Sequence, residues 1–203
     1  GQLNSGNYDL ITSADNVVNK TGLFENLKGS KVVFTDGFYN KASSTIESQK
    51  GVKLLSLNDY LKDFPEAAQK ILNKNDDDSS LQSLNTALMT GGYVLFVDKN
   101  TTLTAPIQIL HNTTTSSENK SIATKCFIDV QENSFAQIVE IFIGADEQNY
   151  WRHHVTEAIV SENAVLEIYQ IQEEGKKAIH TADTHVDVGQ RANFKHYSLN
   201  LGG

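Results

Sequence analysis

Val130-Gln-Glu-Asn-Ser-Phe-Ala-Gln-Ile-Val-Glu-Ile recurs 30 residues later as Val160-Ser-Glu-Asn-Ala-Val-Leu-Glu-Ile-Tyr-Gln-Ile, and 28 residues after that as Val188-Gly-Gln-Arg-Ala-Asn-Phe-Lys-His-Tyr-Ser-Leu. Side chains alternate along a strand, so each copy can be read face by face. Ile128 and Val130, then Ala158 and Val160, then Val186 and Val188 point inward. A polar corner follows at Glu132-Asn133, Glu162-Asn163 and Gln190-Arg191, where Asn accepts the left-handed conformation of a sharp turn. Ala136/Leu166/Phe194 and Ile138/Ile168/His196 resume the inward face. Beyond them Val139/Tyr169/Tyr197 and Ile141/Ile171/Leu199 are apolar around Glu140/Gln170/Ser198, which predicts a bend onto a new face with those polar residues outward.

Such a unit cannot bury its apolar side alone, so successive units must stack. The fold class expected is mainly β, a β-solenoid. A fainter copy starts at Val97-Asp-Lys-Asn-Thr and slips out of register after Leu103. Length varies in Gly144 to His154 and Glu173 to Thr181, which read as loops on one edge. The chain ends at Leu201-Gly202-Gly203 without a polar cap, so the last coil reads as an open edge. A partner covers it, a second copy in isolation included, or the chain is an excerpt of a longer protein.

Upstream, Lys31-Val-Val-Phe-Thr reads as a strand, Asp36-Gly37 as a hairpin turn and Phe38-Tyr39 as a short return strand. Three helical pieces follow between Ser56 and Asn85: Ser56 caps the first with Asp59 three residues on, Pro65 opens the second, and the third runs from Ser80 to Met89 until Gly91-Gly92 stops it. Asp76-Asp77-Asp78-Ser79 reads as a solvated loop, since no spaced cation-ligand pattern follows. Gly1 to Lys28 has weak helical periodicity through Val17, Val18, Leu23, Phe24 and Leu27. The domains expected are 1–28, an N-terminal helical remnant; 29–92, a small α+β segment; and 93–203, the β-solenoid.

The chain has 203 residues, 39% of them hydrophobic, and a net charge of −8. With only Arg152 and Arg191 as arginines, nucleic acid is not an expected partner. Its longest apolar stretch, Tyr93 to Val97, is far below the roughly 20 residues of a membrane helix, so no membrane contact is expected either. A single cysteine, Cys126, fits a reducing compartment, the cytoplasm, and its inward parity predicts a buried thiol.

Candidate chemistry is sparse. Asp183, His185 and Asp187 share a face opposite Val186, a spacing compatible with metal ligation, but an outward row on a solenoid is ordinarily solvated. Adjacent His153 and His154 face opposite ways on a strand and cannot share one ion. His196 replaces Ile and reads as a core histidine with a satisfied hydrogen bond. Tyr150 and Trp151 sit in a variable segment, where they either anchor a partner or cover the solenoid's side. No phosphate loop, nucleophile elbow or metalloprotease motif is present. No catalytic, cofactor-binding or metal-ligating residue is assigned.

The run Val155 to Glu174, then Ala178-Ile179-His180, Asn193-Phe194 and Ser198 to Gly203, closely resembles the SufB/SufD family, as does Leu84 to Tyr93. Within it the SufD branch is most similar, because the cysteine that accepts sulphur in SufB has no counterpart near Glu140 to Gly144. The resemblance implies a right-handed parallel β-helix and a non-enzymatic scaffold for iron-sulphur cluster assembly. It also implies a SufB-like paralogue and a SufC-like ATPase as partners, with the cluster handled by the full complex and no cofactor on this chain. The family's cluster-site histidine and ATPase-docking helices lie in C-terminal segments this chain does not reach, so no ligand is transferred to it. The competing expectation is a β-helix enzyme acting on polysaccharide through outward carboxylates, for which Glu132 and Glu162 stack between coils.

Overall fold

The computed structural model describes residues 9–10, 28–72 and 80–202. The helical reading of Gly1 to Lys28, apart from residues 9–10 and Lys28, and the Asp76–Asp78 loop lie outside them. Strands are β1 (Asp9–Leu10), β2 (Lys31–Thr35), β3 (Phe38–Tyr39), β4 (Val52–Ser56), β5 (Tyr93–Val97), β6 (Ile107–Asn112), β7 (Lys120–Val130), β8 (Phe135–Ile143), β9 (Trp151–Val160), β10 (Val165–Glu173), β11 (Ile179–Val188) and β12 (Asn193–Asn200). Helices are α1 (Leu57–Asp63), α2 (Pro65–Leu72) and α3 (Ser80–Leu88).

From β5 onward the chain winds as a parallel β-solenoid of about 4 turns. From β5 on, odd-numbered strands stack into one sheet, here called the odd sheet, which β4 completes in the order β11-β9-β7-β5-β4. Even-numbered ones form the other, the even sheet, which β2 and β3 complete in the order β12-β10-β8-β6-β2-β3. The registers are those of the sequence repeat: Ile128 pairs with Ala158 and Ala158 with Val186, while Ile138 pairs with Ile168 and Ile168 with His196. Ile128, Val130, Ala136, Ile138, Val160 and Leu166 are completely buried between the sheets. Each of the Val, Leu and Ile side chains among them stabilises the fold by about 1.5–3 kcal/mol.

From β5 on, each corner from an odd to an even strand turns on a residue with left-handed backbone: Asn100 (φ 59°), Asn133 (57°), Asn163 (57°) and Arg191 (57°). Their side chains form a ladder along the corner. Asn133 Nδ2 donates to Asn100 Oδ1 (3.2 Å), Asn163 Nδ2 to Asn133 Oδ1 (3.1 Å), and Arg191 Nε to Asn163 Oδ1 (2.9 Å). The slip after Leu103 is equally local: Thr102 bridges to Phe135, but Ile107 already pairs with Ile138. The first coil therefore carries two extra residues around Thr104 to Pro106, a loop tied down by Gln49, whose Oε1 accepts from Thr104 N (3.1 Å).

The segment before β5 extends the same sheets. β2 adds in parallel to β6, and Asp36 (φ 52°) with Gly37 (φ 87°) turns it into antiparallel β3. β4 runs antiparallel to β5. Ser56 Oγ accepts from Asp59 N (3.1 Å) to cap α1. The helical segment packs on the outside of the odd sheet, Leu57, Tyr60 and Ala68 meeting Val94 and Phe127. Gly92, at φ 145°, lies where a Cβ would stand 1.7 Å from the Lys125 carbonyl oxygen, so only glycine lets α3 return onto β7.

The expected bend between Ile138 and Val139 is absent, and β8 and β10 run straight through that point. Glu140 and Gln170 are therefore inside, 0% and 8% exposed, instead of outward. The apolar row that suggested the bend is a stripe on the outer face of the even sheet, where Val33, Leu110, Ile141, Ile171 and Leu199 stand in register strand by strand. The expected loop from Gly144 to His154 is also shorter, because β9 already begins at Trp151. Among the described residues no helix is long and apolar enough to cross a membrane.

Candidate functional site

Continuing the inward parity past Ala158 and Ile138 leads to Thr156, His154 and Arg152 on β9 and to Glu140 and Phe142 on β8, with His111 and Tyr93 from β6 and β5. His111, Glu140, His154, Arg152 and Tyr93 are all 0% exposed. One end of the interior is thus lined mainly by aliphatic side chains, and the other gathers the ionisable ones among Ile122, Thr124, Phe142 and Thr156.

Glu140 is the hub. Its Oε1 accepts from the Tyr93 hydroxyl (3.0 Å) and its Oε2 from Gln170 Nε2 (2.9 Å), while Gln170 Oε1 accepts from His196 Nε2 (2.9 Å). This file reaches from the first coil to the fourth. The same Oε1 lies 3.6 Å from His111 Nε2 and 3.5 Å from His154 Nε2. One ligating atom from each of His111, Glu140 and His154 can be chosen so that all lie within 4.8 Å of one another. His154 Nδ1 is 2.8 Å from Thr124 Oγ1, and its Nε2 is 3.1 Å from Thr156 Oγ1. The His111 ring is sandwiched between Phe142 (4.5 Å, 4°) and Phe34 (5.3 Å, 14°), and neither of its nitrogens has a hydrogen-bond partner. An unsatisfied buried polar atom costs about 1–3 kcal/mol.

Burial depresses the His111 imidazole to about 3, so it is neutral and keeps a lone pair at physiological pH. Burial alone would raise the Glu140 carboxyl, but the adjoining His154 and His111 outweigh it and hold it well below the carboxylate range. The Tyr93 phenol and the Cys126 thiol are pushed up by burial and by the nearby Glu140, so both stay protonated.

Across Phe142 lies a second cluster. Arg152 Nε donates to Glu174 Oε1 (2.9 Å), the Tyr150 hydroxyl to the same oxygen (2.8 Å), and His180 Nδ1 meets Oε2 at 2.5 Å. Burial would raise Glu174, yet the Arg152 charge and the His180 hydrogen bond bring it down to about 2. Arg152 Nη1 has no partner. Buried charges of this kind persist only as pairs.

Asp183, His185 and Asp187 lie on the outer face of β11, and of the three Asp183 approaches another candidate, His153, at 3.5 Å. His153 and His154 point to opposite sides, as their adjacency requires; His153 stacks on Trp151 (5.8 Å, 7°) outside the solenoid. Trp151 is half-buried there, whereas Tyr150 is wholly inside. His196 faces inward with its hydrogen bond made, but is exposed on the fourth coil. Cys126 is fully buried, as its parity predicts. The two acids of the enzyme expectation are engaged in ion pairs, Glu132 with Lys99 (2.9 Å) and Glu162 with Arg191, as are two further outward acids, Glu157 with Lys125 (2.7 Å) and Glu167 with Lys195 (2.7 Å). Sequence reasoning missed Glu140, His111, Arg152 and Glu174. The signal available was the parity itself, carried unbroken through β8 and back through β9.

Fold and site together define a parallel β-solenoid whose interior is apolar at one corner and ion-bearing at the other. The description "SUF system FeS cluster assembly, SufBD core domain" matches residues 112–203, and the SufBD protein N-terminal region matches residues 23–109. The chain belongs to the SufB/SufD family. It is 26% identical over 184 residues to an iron-sulfur cluster assembly SufBD family protein of Synechocystis sp., covering 85% of this chain and 40% of the relative. It is also 31% identical over 80 residues to the chloroplastic protein ABCI7 of Arabidopsis thaliana, covering 39% of this chain and 17% of the relative. The chain thus spans less than half the length of these curated relatives.

Proposed function

We propose that the protein containing this chain is a SufD-like, non-catalytic scaffold of iron-sulphur cluster assembly, acting in the cytoplasm with a SufB-like paralogue and a SufC-like ATPase. The observation that carries this reading is the family match over both the solenoid and its N-terminal extension. Two structural facts support the finer assignment. Cys126, the one cysteine of this span, is sealed inside with a raised thiol pKa, unsuited to receiving sulphur as a SufB-like member does. Glu132 and Glu162, the acids expected of a polysaccharide-cleaving pair, are each tied up in an ion pair, which leaves that alternative without support.

Affinity capture of the full-length protein from its own cytoplasm, with mass spectrometry of what binds, tests the reading. It is expected to recover a SufC-like ATPase and a SufB-like paralogue in stoichiometric amounts. Recovery of neither, under conditions that preserve complexes, would overturn it.

A further inference from the structure

We propose that His111, Glu140 and His154 form a buried binding site for one divalent first-row transition-metal ion of the Fe²⁺ or Zn²⁺ type, held by two imidazole nitrogens and a carboxylate oxygen. The inference stands on side-chain geometry alone and survives if the scaffold reading fails. It departs from the expectation that this chain binds no metal.

The first ground is spacing. Glu140 Oε1 is 3.6 Å from His111 Nε2 and 3.5 Å from His154 Nε2. Those separations exceed the roughly 2.7–3.2 Å of a good hydrogen bond. These two edges are close to the separation of neighbouring ligands on a tetrahedral ion, since bonds of about 2.0–2.1 Å set ligand atoms about 3.3–3.4 Å apart, and the three ligand atoms together lie within 4.8 Å of one another.

The second ground is the state of His111. It is 0% exposed, and both ring nitrogens lack a hydrogen-bond partner. Burying an imidazole in that way is costly, and a metal on Nε2 supplies one of the two missing interactions. Phe34 and Phe142 clamp the ring on both faces, so its position is fixed without the hydrogen bond it lacks.

The third ground is the surrounding support. Thr124 Oγ1, 2.8 Å from His154 Nδ1, can accept a hydrogen bond from that nitrogen and so place the lone pair on Nε2, where the Thr156 hydroxyl, 3.1 Å away, gives way to the metal. Tyr93 and Gln170 hold the carboxylate from both oxygens, at 3.0 and 2.9 Å. The nearest guanidinium, Arg152, is committed to Glu174 at 2.9 Å and does not compete for Glu140. Two nitrogens and one oxygen suit a borderline ion and not Mg²⁺ or Ca²⁺, which take oxygen.

The test is binding of Co²⁺, Zn²⁺ and anaerobic Fe²⁺ to the full-length protein, refolded from denaturant with each ion because the ligands are sealed inside the coils. One equivalent is expected, with a Co²⁺ ligand-field spectrum of low coordination number and no competition from excess Mg²⁺. X-ray absorption on the wild-type complex should show nitrogen and oxygen neighbours and no sulphur, a readout that needs no variant. His111→Phe preserves the aromatic stack and should weaken binding by more than about 100-fold. Thr124→Val, which keeps every ligand, should weaken it by about tenfold. Absence of stoichiometric binding, sulphur in the coordination shell, or full affinity in folded His111→Phe would each overturn the proposal.

Discussion

The two ends of the solenoid's interior are built from the same strands in the same register, yet they are held together by different physics. At the asparagine corner, Ile128, Val130, Ala136, Ile138, Val160 and Leu166 exclude water and stabilise by area alone. At the opposite end His111, Glu140, His154, Arg152 and Glu174 occupy equally buried positions, where desolvation is costly and stability depends on every partner being present. A stacked repeat needs only the first kind of interior. The second kind is retained at a cost, and function is the economical explanation of its retention.

Breaking single interactions separates the two ends. The largest loss is expected from Arg152→Leu, which strands Glu174 without its guanidinium and should destabilise by about 3–5 kcal/mol in denaturant unfolding. Ile138→Ala at the apolar end should cost about 2–4 kcal/mol through a cavity, with no pH dependence. A next-smaller effect is set by Glu174, whose carboxyl is brought down from 4.5 to about 2 among Arg152, His180 and Tyr150. A depressed folded-state pKa gives stability that is complete above the unfolded value and is lost as pH falls through the folded one. Unfolding free energy should therefore drop by about 3 kcal/mol between pH 4.5 and 2, and Glu174→Gln should flatten that limb. A flat wild-type profile over that range would refute the ion-bearing assignment of this end.

The asparagine corner predicts the smallest effect. Asn163→Ala places alanine at φ 57° and cuts the ladder from Asn133 to Arg191, which should cost about 1 kcal/mol, while Asn163→Gly should recover the backbone part. Equal costs for both would assign the loss to the ladder alone.

The apolar end was legible in the sequence because the repeat supplies its own alignment. Ile138, Ile168 and His196 are neighbours in space as they are in the aligned copies. The left-handed corners at Asn133 and Asn163 and the Ser56 cap of α1 were equally local. The ion-bearing end was not, because apolar side chains ordinarily mark the inside. Val139 and Ile141 are buried on the outer face of the even sheet, so hydrophobicity there points away from the solenoid's axis. Arg152-His153-His154 read as loop because the repeat length varies there, and Arg152's partners, Thr113 and Glu174, lie just past the ends of β6 and β10, far off in sequence. Pairing of that range has no local signature.

The claim that the ion-bearing end is kept for function and not for stability is tested most directly by cluster formation on the assembled SUF complex carrying His111→Phe. The substitution keeps an aromatic ring in the stack between Phe34 and Phe142 and removes two nitrogens without hydrogen-bond partners, so the solenoid should remain folded. Cluster formation, followed by absorbance under anaerobic conditions, should nonetheless fall by at least about tenfold. A folded His111→Phe complex that builds clusters at the wild-type rate would contradict the claim and make this end of the interior a packing solution only.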